Sequence, residues 1–263
     1  MTNTSAINEI QLLAASYEPI FLHEMAEVEL QNRVDVKYMI PLHEVSEILA
    51  SAKSSYRILE VNGERICGYD TLYYDTTDLQ LYHEHHTGRL ERFKVRLRTY
   101  LASDISFFEV KRKNNKNRTV KTRIEPNEVV HPTLDEEIAS FIEAESSLRA
   151  ENLVGDLKVH YQRITLVNLA QKERVTIDIN LTFKHKEQEK SYSFMAILEI
   201  KQNRQGKSAL TNLLKSLGRR PGAISKYCLG RISTNPDIKQ NRFKRNILNI
   251  NKIKHEHIAR GSR

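Results

Sequence analysis

The chain has 263 residues, 40% of them hydrophobic, and a formal net charge of +8 at pH 7, which is enough length and apolar content for one domain with a substantial core. It contains no run of about 18 apolar residues, and its N-terminus lacks the order of a signal peptide, so the sequence predicts a cytoplasmic protein without a membrane segment. Cys67 and Cys228 have no CxxC spacing and are expected to be reduced thiols rather than zinc ligands.

The positive charge is concentrated near the C-terminus. From Arg231 to Arg263 there are nine lysines and arginines against two acids, whereas residues 1–230 hold 32 basic and 31 acidic residues. We therefore expect a single domain over 1–230 and a basic tail over 231–263, Asn- and Lys-rich, that is flexible or loosely docked.

In the first part of the chain, Ile10, Leu13, Ala14 and Tyr17 have the spacing of a short packing helix that ends at Pro19. The segments that follow are predicted as a strand over 33–40, a helix "PLHEVSEILASA" opening at Pro41, strands near 57–61 and 64–75 around a "VNGE" turn, and a short helix or loop "TTDLQLYHEHHTG" ended by Gly88.

The remaining elements are mostly strands. They are predicted as strands "ERFKVRLRTY", "ISFFEVKRK" and "RTVKTRI", the last two joined by the turn "NNKN"; a helix "TLDEEIASFIEAESSL" with a capping box of Thr133 and Glu136; strands "KVHYQRITLV", "ERVTIDINL" and "YSFMAILEIK"; and a helix "KSALTNLLKSLG" stopped by Gly218 and Pro221.

The strand "ERFKVRLRTY" carries Arg92, Lys94, Arg96 and Arg98 at alternate positions, which places all four cations on one face. The other strands repeat this division between an ionic and an apolar face. Their ionic faces carry Arg33, Asp35 and Lys37; Glu109, Lys111 and Lys113; Thr119, Lys121 and Arg123; Tyr161 and Arg163; Arg174, Thr176, Asp178 and Asn180; and Glu199 and Lys201.

Two architectures satisfy this pattern. In a sandwich, the apolar faces meet and the ionic faces are solvated. In a closed barrel or tunnel, the apolar faces lie beneath the predicted helices and the ionic faces line a lumen, where so many cations are costly unless a polyanion or bound water occupies the space. The tunnel accounts for the apolar helix faces and predicts a phosphate site.

The acids among these cations, Asp35, Glu109, Asp178 and Glu199, can pair with them or hold a divalent metal that bridges phosphates. Ion pairing is favoured for each acid except Glu199, which is two residues from Lys201 on the same face. His83, His85 and His86 fit no standard metal-ligand spacing, so a structural or entrance role is favoured for this cluster.

Taken in order, these residues resemble the VTC polyphosphate polymerase domains of the triphosphate tunnel metalloenzyme (CYTH-like) superfamily, in a bacterial stand-alone form. The resemblance extends from about Glu18 to Arg231 through "RVDVKY", "YDTLYYDT", "HHTGRLERFKVRLRTY", "FFEVKRK", "TVKTRI", "YQRITL", "ERVTIDINL", "LEIKQ" and "SKYCLG". It implies an α+β, mainly β fold, a closed antiparallel eight-stranded tunnel barrel with helices packed outside.

The resemblance also implies a set of site residues. The family's phosphate-binding cations correspond to Lys37, Arg96, Arg98, Lys111, Lys121, Arg163, Arg174 and Lys226, with Lys201 following on the face of Glu199, the counterpart of the family's metal-binding glutamate. Among them, Arg96, Arg98, Lys111 and Lys121 are expected to bind the nucleotide. Arg92 and Lys94 are expected near a tunnel mouth. Asp35 stands where related tunnel enzymes usually have Glu.

The activity that the resemblance implies is phosphoryl transfer from ATP to a growing inorganic polyphosphate chain, with Mn²⁺ or Mg²⁺ as cofactor. ATP and polyphosphate are the expected partners, no specific nucleic acid is expected, and the sequence predicts no oligomeric state. Two alternatives stay open: a hydrolase of triphosphate or triphosphate esters on the same fold, and a non-catalytic module that binds polyphosphate or inositol polyphosphates.

Overall fold

The computed structural model describes residues 3–28, 33–116, 118–126, 134–203 and 208–261, which contain eleven strands and seven α-helices. The strands are β1 (Pro19–Ile20), β2 (Arg33–Pro41), β3 (Arg57–Leu59), β4 (Ile66–Thr76), β5 (Arg92–Tyr100), β6 (Ile105–Lys113), β7 (Thr119–Ile124), β8 (Leu153–Asn168), β9 (Glu173–His185), β10 (Gln188–Tyr192) and β11 (Met195–Asn203). The helices are α1 (Asn3–Ala15), α2 (Glu44–Ala52), α3 (Gln80–Thr87), α4 (Glu136–Glu145), α5 (Ala209–Ser216), α6 (Lys226–Thr234) and α7 (Lys244–Gly261).

Eight strands follow one another by hydrogen bonding in the order β2-β11-β9-β8-β4-β5-β6-β7, and every pairing along this path is antiparallel. Strand β10 extends β9 as a hairpin, and β3 pairs with β8 and with the short β1. The prediction of a mainly β antiparallel fold with helices is confirmed.

The closed barrel is not confirmed, because within the described residues no pairing joins β2 to β7. Strand β7 is short and largely exposed, and it pairs only with β6 there. The sheet nevertheless curves strongly, because Lys37 on β2 and Lys111 on β6 line the same cavity although they lie near opposite ends of the strand path.

The apolar faces of the strands lie beneath helices, as the tunnel interpretation predicts. Strands β8, β9 and β11 contribute Ile164, Ile177 and Leu198 to a core that they share with α1, α2 and α5, while β5 and β6 pack against α4. Each of these buried aliphatic side chains stabilises the fold by about 1.5–3 kcal/mol. Because this face is covered from outside, the ionic face lies on the concave side of the sheet, which excludes the sandwich.

Several local predictions are confirmed. Asn62 and Gly63 have positive φ angles in the "VNGE" turn, and Gly88, at φ 77°, ends α3 in the left-handed conformation that favours glycine. No described helix has the length and hydropathy needed to span a membrane.

Other local predictions differ from the structure. Pro41 ends β2, and α2 begins at Glu44. The N-cap of α4 is Asp135, whose carboxylate accepts from the Ile138 N–H at 2.7 Å. Thr133, predicted as half of a capping box, lies outside the described residues, as do Asn117 of the predicted turn and the side chain of Arg33.

The C-terminal segment is helical where it is described. Helix α6 crosses the boundary predicted at residue 230, and α7 buries Ile250 and Ile253 against the core that contains α6. Together with Ile247, these isoleucines recur every three residues, so they share one helix face. Where the sequence predicts a flexible or loosely docked tail, the structure shows a helix packed on β2 and β11.

A substitution at Gly230 tests the docking of α6. A Cβ atom there would lie 2.5 Å from Leu157 Cδ2 and 2.6 Å from Phe183 Cδ1. We expect Gly230→Ala to destabilise the protein by about 1–3 kcal/mol, because overpacking outweighs the gain in helix propensity. Urea unfolding measures the change. Gly222→Ala, where a Cβ meets nothing within 4 Å, is the control and should cost nothing; equal stability of the two variants would contradict this account of the α6 contact.

Candidate active site

The concave face contains three carboxylates that each bind two cations, an arrangement we call the ion triads. In the first triad, Glu109 on β6 accepts from Arg96 Nε at 2.6 Å and from Lys121 Nζ at 2.8 Å. Arg96 lies directly opposite Glu109 on β5, so strand register alone brings this pair together. The Glu109 side chain is 1% exposed, and Arg96 also donates to the Tyr73 hydroxyl at 3.3 Å.

The second triad joins the sheet to α6. Arg163 on β8 makes a two-point contact with Asp178 on β9, its Nε and Nη2 donating at 2.6 and 3.0 Å. Lys226, the first residue of α6, donates to the same carboxylate. Two-point guanidinium–carboxylate pairs are among the strongest polar contacts in proteins, so this triad fixes the start of α6 against the sheet.

The third triad lies where β11 meets β2. Lys201 Nζ donates to Glu199 Oε2 at 2.8 Å, and Lys37 Nζ is 3.6 Å from Glu199 Oε1. Lys37 also donates to the carbonyl of Ile224 at 3.3 Å. Glu199 is therefore paired with cations like the other two acids, and its contact with Lys37 is the longer of the two.

The triads determine which groups are charged. Burial would raise the pKa of Glu109, but Arg96 and the neighbouring cations lower it to about 2. In the same way, cations hold the pKa values of Asp178 and Glu199 well below the usual range against the effect of burial. All three carboxylates are thus ionised at neutral pH, and each offsets part of the positive charge on the concave face.

Other cations on this face have no carboxylate within 4.0 Å among the described residues. Lys94 and Lys111 are directly opposite each other on β5 and β6, an arrangement of like charges that is destabilising in a sheet. Burial and the nearby charges of Lys37 and Lys94 lower the pKa of Lys111 to about 7. Arg98 is 8% exposed, and its Nε donates to Thr71 Oγ1 at 3.3 Å.

A cavity of about 870 Å³ opens over Lys94 and Lys111. Strands β2, β5 and β6 form one side, and the segment from Gly218 to Ser225 and helix α7 form the other. Among the described lining residues Asp35 is the single acid, whereas ten are basic: Lys37, Arg92, Lys94, Lys111, Lys113, Arg219, Arg220, Arg242, Arg245 and Lys252. The arrangement suits a ligand with several negative charges.

His85 positions one of these cations. Arg92 Nε donates to His85 Nδ1 at 3.0 Å, and His85 Nε2 is 3.0 Å from the Phe93 carbonyl, which assigns the ring proton to Nε2. Burial, with the charge of Lys94, lowers the pKa of His85 to about 2, so the ring stays neutral. His86 instead packs against the rings of Tyr82 and Phe243, and His83 is exposed.

The predicted site residues fall into groups. Six are members of the ion triads: Lys37, Arg96, Lys121, Arg163, Lys201 and Lys226. Lys37 and Lys111 are the two that line the cavity. Arg98 lies on the same face of β5 as Arg96, and Arg174 is directly opposite Lys201. Arg92 and Lys94, expected near a mouth, line the cavity with Lys111.

Sequence reasoning missed the other wall of the cavity. The segment from Gly218 to Ser225 and the polar side of α7 were not predicted to contribute to the site. Tyr73 was also missed: burial would raise its pKa, but the charges of Arg96 and Arg98 lower it to about 8. Its alternate position in "YDTLYYDT" was an available signal, because it shares the face of Thr71, which contacts Arg98.

Metal ligands can be judged from the donor set. Among the described residues, no group of three or more His, Cys, Asp or Glu side chains is placed to hold a metal ion. Mg²⁺ in phosphate sites commonly uses one or two carboxylates together with phosphate oxygens. Glu199 is ionised, and although Lys201 binds its Oε2 at 2.8 Å, its Oε1 lies 3.6 Å from Lys37, so Oε1 fits a metal that arrives with its phosphates.

Comparison with known proteins identifies the family. The VTC domain family model matches residues 32–235, most of the chain. The chain belongs to the VTC domain family. A comparison with curated proteins gave no match.

Solved structures resemble this VTC domain at a distance. A candidate adenylate cyclase from Vibrio parahaemolyticus has 15% sequence identity and a TM-score of 0.46, the alignment covering 76% of this chain and 99% of that one. A candidate adenylyl cyclase from Hippeastrum, described as having a dominant triphosphatase activity, has 16% identity and a TM-score of 0.45, covering 76% and 95%.

The Asp178 triad predicts a measurable pH dependence. Because the folded-state pKa of Asp178 is lowered, its contribution to stability is present above about pH 3.9, the unfolded value, and is lost as the pH falls through the folded value. Asp178→Asn leaves Arg163 and Lys226 without their carboxylate and should cost about 3–5 kcal/mol at pH 7. Urea unfolding should show a smaller difference in the free energy of unfolding between the wild type and Asp178→Asn at pH 3 than at pH 7.

Asp70→Asn is the matched control for this prediction. Asp70 is half exposed and pairs with exposed His160, so its loss should change stability at pH 7 by less than about 0.5 kcal/mol. If the two variants were equally stable at pH 7, the triad would not carry the stability assigned to it.

Proposed function

We propose that this VTC domain transfers the terminal phosphoryl group of ATP to a growing inorganic polyphosphate chain, with Mn²⁺ or Mg²⁺ as cofactor. Family membership supports a role in handling phosphate-rich substrates. The observation that carries the proposal is the cavity above Lys94 and Lys111, where cations without carboxylate partners among the described residues face one another. A chain of phosphates would relieve this repulsion along its length.

The chemistry requires no side-chain nucleophile. A terminal oxygen of the polyphosphate chain attacks the γ-phosphorus of ATP and forms the new P–O bond, while the bond to the β–γ bridging oxygen breaks and ADP leaves with the electron pair. The protein's part is to align the two polyanions and to neutralise charge in the transition state. Lys37 and Lys111 are placed to contact phosphates directly, because both line the cavity.

The other predicted site residues are proposed to act from further away. The ion triads keep the positive potential of five of these residues at fixed positions, namely Arg96, Lys121, Arg163, Lys201 and Lys226. Arg98 and Arg174 supply positive potential from outside the triads. Of the four residues expected to bind the nucleotide, Lys111 is the one that lines the cavity. Glu199 would hold the metal ion, which when bound would shield the charge of the phosphate oxygens.

An activity assay separates this proposal from the alternatives. Purified protein incubated with ATP and Mn²⁺ should produce polyphosphate, detected on gels, together with ADP, and Glu199→Ala should lose most of this turnover. Free phosphate without chain product would assign a hydrolase instead. Polyphosphate binding without metal-dependent turnover in either protein would assign a binding module.

The pKa of Lys111 predicts that binding takes up a proton. At pH 8 the free lysine, with a pKa of about 7, is mostly neutral, and a bound anion favours its charged form. The affinity for tripolyphosphate should therefore fall as the pH rises above 7, with proton uptake at pH 8. Calorimetry in buffers of different ionisation enthalpy measures the uptake.

Lys111→Met should remove that proton uptake and weaken binding at pH 6. Lys190→Met, on the exposed strand β10, is the control and should change neither quantity. Unchanged proton uptake in Lys111→Met would show that another group titrates on binding.

A further inference from the structure

The C-terminal segment supplies cations to the cavity from outside the matched family region, which ends at residue 235. Arg245, Asn249 and Lys252 of α7 line the cavity, and their spacing of four and three residues places them on one face of the helix. Ile250 and Ile253 lie on a different face and are buried. Helix α7 therefore has one face for the core and another for the cavity.

Two side-chain contacts hold this helix beside the cavity, and one of them continues to α2. Asn246 Nδ2 donates to the Ala223 carbonyl at 3.1 Å. Arg219 binds Glu256 of α7 at 2.7 Å and also binds Glu44 of α2. These contacts fix the position of α7, and therefore of its cations, beside the cavity.

Arg242, two residues before the start of α7, is fixed as well. Arg242 Nη1 donates to the Thr87 carbonyl at the end of α3, at 2.9 Å. Its guanidinium lies so close to Gly88 that a Cβ there would be 2.5 Å from Arg242 Nη2. The outer cavity wall is therefore attached to α3 at one end and to α2 and the Gly218–Ser225 segment at the other.

The charge of this outer wall is largely uncompensated. Within the described part of the chain, neither Arg220 nor Arg245 has a carboxylate within 4.0 Å, and both are exposed. Lys252 is 3.9 Å from Glu256, but that carboxylate is engaged by Arg219 at 2.7 Å. The outer part of the cavity thus repeats the excess of positive charge seen at Lys94 and Lys111.

We propose that Arg245 and Lys252, with Arg220, form an outer subsite that binds the part of a polyphosphate chain extending beyond Lys37, Lys94 and Lys111. The subsite makes the protein prefer long polyphosphate to tripolyphosphate. This proposal rests on the proposed function, because the ligand class is the same. Single-stranded RNA is disfavoured, because Phe243, the aromatic residue lining the cavity, packs its ring against Tyr82 and His86.

The test compares two ligands in the full-length protein. Calorimetry measures the affinity for long-chain polyphosphate and for tripolyphosphate, between about 50 and 200 mM salt. In Arg245→Gln/Lys252→Gln, affinity for the long chain should fall about threefold to thirtyfold, while affinity for tripolyphosphate stays unchanged. By analogy with single-stranded nucleic acids, the salt slope for the long chain should decrease by about 0.7 per lost phosphate contact.

Lys254→Gln/Arg260→Gln is the matched control, because it removes one lysine and one arginine from exposed positions of α7 that do not line the cavity. Substitutions are preferred to deletion of α7, which would uncover Ile250 and Ile253. Arg245 and Lys252 are exposed, so both double variants should keep the wild-type melting temperature.

Several results would overturn the subsite. One is an equal loss of affinity for both ligands in Arg245→Gln/Lys252→Gln, and another is an equal loss of affinity in the control variant, which would indicate general charge attraction. A third is an RNA oligonucleotide that binds through Arg245 and Lys252 as tightly as polyphosphate does. A wild-type protein that binds tripolyphosphate no less tightly than the long chain would also overturn it and leave the proposed phosphate site standing. Failure of the wild type to bind either ligand would instead count against the proposed function itself.

Discussion

Neutralisation of charge on the concave face is the constraint on which the rest of the structure depends. A sheet that turns so many lysines and arginines inward loses their hydration, a cost that is offset only where a carboxylate lies within reach. Glu109, Asp178 and Glu199 each meet this requirement for two cations. Lys94 and Lys111 are left without such partners within the described structure, and the cavity opens at their position. Ion pairing thus leaves positive charge without carboxylate partners at Lys94 and Lys111, where the cavity can admit an anion.

The same constraint explains the placement of the helices. With the ionic faces of the strands inside, the apolar faces need cover from outside, and α1, α2, α4 and α5 provide it. Helix α6 makes two polar contacts with the sheet: Lys226 completes the Asp178 triad, and Tyr227 donates to the buried carboxylate of Asp75. Asp75 in turn accepts from the Leu81 and Tyr82 backbone N–H groups of α3, so polar contacts connect three elements around the cavity.

The inward ionic face and the outer helices could be predicted from the sequence. The alternation of ionic and apolar residues fits a sandwich or a tunnel, and the apolar faces of the predicted helices favour the tunnel. The sequence could not show which acid pairs with which cation. Arg96 is opposite Glu109 only in the register that the β5–β6 turn sets for the whole hairpin. Helix α7 was missed because its Asn- and Lys-rich composition suggested a flexible tail, although Ile247, Ile250 and Ile253 already had helical spacing. The outer cavity wall was missed for the same reason, as Arg245 and Lys252 line the site only once α7 is docked.

The unpaired edges of β2 and β7 bear on how wide the interior is. In a closed barrel, strand number and stagger fix the circumference, and widening it requires breaking a ladder of backbone hydrogen bonds. Across the described residues, the strand path here ends at β2 on one side and at β7 on the other. No ladder of backbone hydrogen bonds therefore fixes the distance between these two strands, and side-chain packing, such as that of α7 against β2, sets it instead. The width of the interior thus depends on side chains that a substitution can change.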